Sequence, residues 1–176
     1  VSWGTRVENL LGSRYNISID KFAPILKEQR VDFYNLQYFD TSKDTEHLSN
    51  LYGIKVNYFE GLDVYGNIDG LASAISNLDL VISVNNINTQ LSNALGVATW
   101  QLLPNFWYFL HNTDTDHFHK RAINFIWKGA DEPDTAILSV KRKLSKILDG
   151  TRTGANHRKY FRESLALENK LNDQIN

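Results

Sequence analysis

Cysteine is absent from this 176-residue sequence. A disulfide framework, a thiolate zinc site and a cysteine nucleophile are therefore excluded. Methionine is absent as well, even at position 1. An excess of charge is also lacking, since 19 Lys and Arg stand against 20 Asp and Glu, a net charge of −1. That balance gives no general pull toward nucleic acid or an anionic membrane. No apolar run reaches the roughly 18 residues of a membrane helix, and the opening residues are not a basic-then-apolar leader. The expectation is a cytoplasmic chain without a membrane span or a nucleic-acid partner. There is no internal repeat, no low-complexity segment, and no GxGxxG dinucleotide fingerprint.

Hydrophobic residues make up 42% of the chain, and its length suits one domain with a sizeable core. The opening VSWG reads as the end of a strand running into a loop, so an upstream part is expected. Apolar alternation and β-formers predict strands at 1–3, 31–38, 54–59, 80–84, 97–103 and 122–127. Helical spacing predicts helices at 19–29, from Thr41 or Ser42 to 51, and at 68–78, 89–95, 133–148 and 157–175. Ser18 is the expected cap of the first. Gly53 and Gly96 are expected stops, Pro133 an opening turn and Gly150 a closure. Strands alternate with helices throughout. That pattern predicts an α/β fold: a mainly parallel, six-stranded sheet covered on both faces. The expected domain is 1–150, followed by a linker and helix at 151–176. The KRKLSK stretch at 141–146 reads as a solvated helix face.

Residues 78–104 form one unit: strand, polar elbow, short helix, glycine stop, strand. Ligands of open parallel sheets bind outside the carboxyl ends of the strands, where this elbow sits. Thr89 and the backbone N–H groups at the helix start can form an anion pocket, or Asn88 can simply cap that helix. Asn85 and Asn86 can face a cleft or make a turn. Arg6 and Arg14, in the loop after the first strand, can grip phosphate oxygens or stand in solvent. Gln37 is placed to contact a base or ribose. Asp63 and Asp69 flank the loop before the third helix, with Asp69 as a favourable first-turn charge. The aromatic run at 106–109 can stack on a ligand, dock on another domain or half-bury itself. Asp114-Thr115-Asp116 is a DxD string of a kind common in any sequence, and His117 and His119 with His111 could ligate zinc but have no supporting ligands at metal spacing. No metal is expected.

The strings VSWG, RYNIS, VDFYNLQY, IDGLASAISNLDLVISVNN and LSNALGVATWQLLP follow one another over residues 1–148. In that order they resemble the C-terminal domain of GT-B-fold glycosyltransferases. The likeness is to bacterial transferase domains that follow tetratricopeptide repeats, and to heptosyltransferases. The resemblance implies a Rossmann-like three-layer half-enzyme that binds a nucleoside-diphosphate sugar as substrate, with no cofactor. An N-terminal domain of the same protein would hold the acceptor and the base. It implies donor contacts by Arg14, Gln37, Asn85, Asn86, Asn88, Thr89 and Gln90, and sugar or acceptor contacts by Trp3, Trp107 and Tyr108. Asn85 and Gln90 stand where the family's donor loop, D-N/T-x-x-x-H, has its acid and histidine. An amide hydrogen-bonds a hydroxyl but neither acts as base nor carries charge. The isolated chain is therefore expected to be inactive. The alternative is a non-catalytic interaction domain that keeps the half-fold.

Overall fold

A computed structural model of the chain describes residues 1–6, 15–105, 122–127 and 133–150, with Lys159 and Phe161. The expected helix at 157–175, the aromatic run, Arg14 and the 114–119 motifs lie outside the described residues or nearly so. Helices α1 (Ile19–Leu26), α2 (Ser42–Tyr52) and α3 (Ile68–Ser76) precede strand β1 (Leu80–Val84). Then come α4 (Ile87–Ala94), β2 (Ala98–Pro104), β3 (Ala122–Trp127) and α5 (Asp134–Gly150).

The fold is α/β, and its sheet is parallel in the order β1-β2-β3. It is three-stranded rather than six-stranded. The other three expected strands line up beyond the free edge of β1, each touching its neighbour through a single bridge or a pair of hydrogen bonds. Ser2 N donates to Ile82 O, and Val84 N donates to Ser2 O (both 3.1 Å). Leu36 N donates to Val1 O at 2.9 Å, and Asn35 N donates to Asn57 O at 2.8 Å. No ladder grows there because local polar groups take the next donors. Gln37 N, for instance, turns back to Asn35 Oδ1 at 2.8 Å.

Alternation along the strands sends Ile82, Trp100 and Phe125 to one face. That face forms the larger core with α1 and α5. Val81 points the other way and packs with Leu71 and Ile75 of α3, and α4 lies on β1 and β2 from that side. Both faces of the sheet are thus covered, as burial of a parallel sheet requires.

Local chemistry sets the helix boundaries. Gly53 (φ 62°) ends α2, and Gly96 (φ 72°) leads into β2 after α4, as the sequence predicts. Ser18 stands at the start of α1 but makes no side-chain cap bond. Thr41 precedes α2, yet Asp40 Oδ1 takes the Ser42 N–H (2.9 Å) instead. Thr41 Oγ1 is held by Asn35 Nδ2 (2.7 Å) and lies 3.3 Å from the Tyr58 hydroxyl, which ties the outermost segment to α2. Helix α1 stops at Leu26, earlier than its pattern suggests, and the chain folds back at Glu28. The Glu28 carboxylate accepts from Arg30 N, Nε and Nη2, while Arg30 Nη1 donates to Asp149 of α5 (2.7 Å).

The hydrogen bonds from Arg30 hold the Glu28 carboxyl below its usual range. A depressed folded pKa adds stability above the unfolded value, and that stability is lost as pH falls through the folded value. Acid titration of unfolding should therefore show a Glu28 component below about pH 4.3. Glu28→Gln should remove it, changing stability at neutral pH by less than about 1 kcal/mol. An unchanged acid limb in the variant would refute the assignment.

Candidate binding face at the carboxyl ends of the strands

Three stretches of chain leave the carboxyl ends of adjacent parallel segments: 3–6, 36–39 and 85–89. They are fastened around the buried Ser2 hydroxyl. Asn86 Nδ2 donates to Ser2 Oγ (2.8 Å) and to Gly4 O (3.2 Å). The buried Gln37 amide contacts Ser2 Oγ from the other side. Its bonds are satisfied when its nitrogen donates to Ser2 Oγ and Gly4 O (3.1 Å) and its oxygen accepts from Gly4 N (3.2 Å). A Cβ on Gly4 would lie within 3.2–3.3 Å of Asn16, Gln37 and Phe39, so the close approach favours glycine.

The elbow itself is a helix cap. Asn86, not Asn88, is the N-cap of α4: its side chain accepts from Asn88 N at 2.9 Å. Thr89 completes the box, with its Oγ1 3.4 Å from Asn86 N and donating to Asn86 O at 2.8 Å. Asn86 Oδ1 also accepts from Ser83 Oγ (3.2 Å). The N–H groups of Thr89 and Gln90 point to Asn86 O. The anion pocket expected at this helix start is thus filled by Asn86. Asn88 and Thr89 are fully buried, and Asn88 Nδ2 donates to Leu36 O (2.9 Å).

The expected site residues therefore divide into two sets. Gln37, Asn86, Asn88 and Thr89 are brought together, but they hold the loops rather than face outward. Gln90 is exposed and Asn85 half-buried, with Gln90 Nε2 3.4 Å from Asn85 Oδ1. Trp3 is a core residue, 3% exposed, donating through Nε1 to Asp44 Oδ2 (2.8 Å) and packing on Phe22. Arg14, Trp107 and Tyr108 lie outside the described residues. The clasp residues Ser2, Ser83, Gln37, Asn86, Asn88 and Thr89 include no group that titrates near neutrality.

Two side chains absent from the sequence reading stand on this face, Tyr38 and Tyr65. Tyr38 OH accepts from Arg6 N (3.1 Å) and donates to Thr5 Oγ1 (3.0 Å). Its ring stacks on Tyr65, with centroids 6.3 Å apart and planes at 26°. Arg6 Cζ lies 5.5 Å from the Tyr65 centroid. Asp63 Oδ1 accepts from Gly66 N and Tyr65 N (both 2.9 Å), which lowers its pKa and fixes the turn that carries Tyr65. The sequence signals were modest: Tyr38 follows Gln37, and Tyr65 sits in a loop bounded by Gly61 and Gly66.

A pocket of about 330 Å3 opens at the opposite, amino end of the strands. Phe33, Tyr34, Leu80, Leu144 and Leu148 line it, with Arg30, Asp32 and Asp79. Its position sets it apart from the carboxyl-end chemistry of parallel sheets. Among the described residues no cluster of three or more His, Asp or Glu could hold a metal ion. No described helix is long and apolar enough to cross a membrane.

No family model matches the chain, and no solved structure matches it. A stretch of 81 residues, 46% of the chain, is 30% identical to Protein FlbA of Caulobacter vibrioides. The chain spans about 14% of the length of that relative.

Proposed function

We propose that this chain is the nucleotide-sugar-binding half of a GT-B-type glycosyltransferase. It acts with an N-terminal domain to move a sugar from a nucleoside-diphosphate sugar to an acceptor hydroxyl. One observation carries the reading: three loops are clasped together at the carboxyl ends of parallel segments, where open α/β sheets bind ligands. The sequence resemblance supports it. Gln37, Asn86, Asn88 and Thr89 position the loops. Asn85 and Gln90 offer amides to hydroxyl groups, and Arg6 and Arg14 offer cations to the diphosphate. The clasp holds no carboxylate or imidazole, so the acceptor's proton is removed from the other side of the cleft. The cytoplasm and a neighbouring repeat domain belong to the same proposal.

Calorimetry with UDP-, GDP- and ADP-sugars and a CMP-sugar tests it. One of them is expected to bind, and the Asn85→Ala/Gln90→Ala pair should weaken it about tenfold through two lost neutral hydrogen bonds. If none binds the protein, the reading is wrong. A second reading, a non-catalytic interaction domain with the same half-fold, is favoured by amides standing at the charged positions of the loop. It requires that no nucleotide bind.

A further inference from the structure

We infer that Tyr65, Tyr38 and Arg6 form the subsite for the base and phosphate of a nucleotide. Tyr65 supplies a stacking face, Tyr38 backs it, and Arg6 supplies the cation. This rests on the reading that the carboxyl-end face binds a nucleotide.

The three side chains come from separate loops, and backbone contacts hold two of them in place. Tyr38 uses its hydroxyl on Arg6 N and Thr5 Oγ1, which leaves its ring against Tyr65. Asp63 fixes the turn under Tyr65 with two backbone bonds. Yet Tyr65 is 67% exposed. A centroid distance of 6.3 Å is an offset stack, so most of the ring stays open. The ring contributes little to the core, while its placement is tightly specified.

Arg6 is exposed and makes no ion pair among the described residues. Its guanidinium lies 5.5 Å from the Tyr65 centroid, within reach of an anion carried beside a stacked ring. The Asp63 carboxylate belongs to the same loop, but it is turned onto backbone N–H groups. A largely exposed aromatic ring next to an exposed cation suits a planar ring bearing an anionic group. A neutral sugar would leave the cation idle, and a simple carboxylate would leave the ring idle. Stacking tolerates any base, so weak discrimination among bases is expected.

The test is calorimetric titration of the protein with UDP, GDP, ADP and CMP, and with uridine and adenosine. Tyr65→Ala should weaken nucleotide binding about tenfold or more, and Tyr65→Phe should stay within about twofold of wild type. Arg6→Gln should weaken the diphosphates about tenfold, leave the nucleosides unchanged and flatten the salt dependence. Tyr65 and Arg6 are exposed, so thermal melts should match wild type in all three variants. If wild type binds nucleotide and Tyr65→Ala binds equally well, this subsite is wrong while the functional reading stands. A Tyr65→Phe variant as weak as Tyr65→Ala also overturns it, because the ring would then not be the contact. If wild type binds none of these compounds, both readings fall.

Discussion

Asn86→Ala is expected to lower the unfolding free energy by about 3 kcal/mol, read from urea midpoints at constant m. Asn86 caps α4 through Asn88 N, accepts from Ser83 Oγ, and donates to Ser2 Oγ and Gly4 O. Loss of a cap alone costs about 1 kcal/mol. The remainder comes from the bonds that alanine deletes where water reaches poorly: Ser2 and Ser83 are fully buried, and each keeps a second partner, Gln37 and Val84 O, but loses the Asn86 amide. Asn86→Ser separates these parts, since serine caps but cannot span to Ser2 and Gly4. It should recover about 1 kcal/mol of the loss. Asn85→Ala, on the same elbow but with only the long 3.4 Å contact to Gln90, should change stability by less than about 0.5 kcal/mol. Equal effects of Asn85→Ala and Asn86→Ala would refute the division between positioning and outward-facing amides. In ligand assays, weak binding by Asn86→Ala would report a loosened loop, whereas under the proposed function weak binding by variants of Asn85, Gln90, Arg6 or Tyr65 would report a lost contact.

Trp100→Ala should cost about 4 kcal/mol, the largest single effect expected from the core. Trp100 is fully buried and packs on Phe125 (centroids 5.4 Å apart) and Phe161 (5.9 Å). Its indole Nε1 has no hydrogen-bond partner among the described residues. Trp100→Phe should therefore cost less than half as much as alanine. It loses ring volume, but it also removes a buried N–H whose desolvation opposes folding by about 1–3 kcal/mol. If phenylalanine proves as costly as alanine, the indole nitrogen has a partner that offsets its burial.

The fold was most legible where one local rule acted alone. Gly53 and Gly96 adopt the left-handed conformation that their positions between helix and strand suggest. The β1–α4–β2 unit follows from two buried runs flanking a polar elbow. The expectation weakened where one residue type permits two registers. Asn85, Asn86 and Asn88 are all competent caps. The structure selects Asn86 because Thr89, three residues on, returns the bond to its backbone. That spacing was visible in the sequence, but it has threonine where a capping box usually has Glu or Gln. The six-strand expectation counted β-forming composition at 31–38 and 54–59. It could not show that Asn35 would bind Gln37 N and Thr41 instead of leaving its segment free to extend. Tyr38 and Tyr65 meet only through tertiary structure, 27 positions apart in the chain, and no sequence period links them.

The uneven sheet gives this face a seam. β1 and β2 share five register pairs, and β2 and β3 share six, whereas Ser2–Ser83 is one bridge and Tyr34–Asn57 another. Asn85, Asn86 and Gln90 belong to the stiff side. Arg6, Gln37, Tyr38 and Tyr65 belong to the soft side. A ligand spanning Gln90 and Tyr65 would act as a cross-tie between the two. Its stabilisation would then appear as slowed amide exchange at Leu36 and Asn57, with little change in β2.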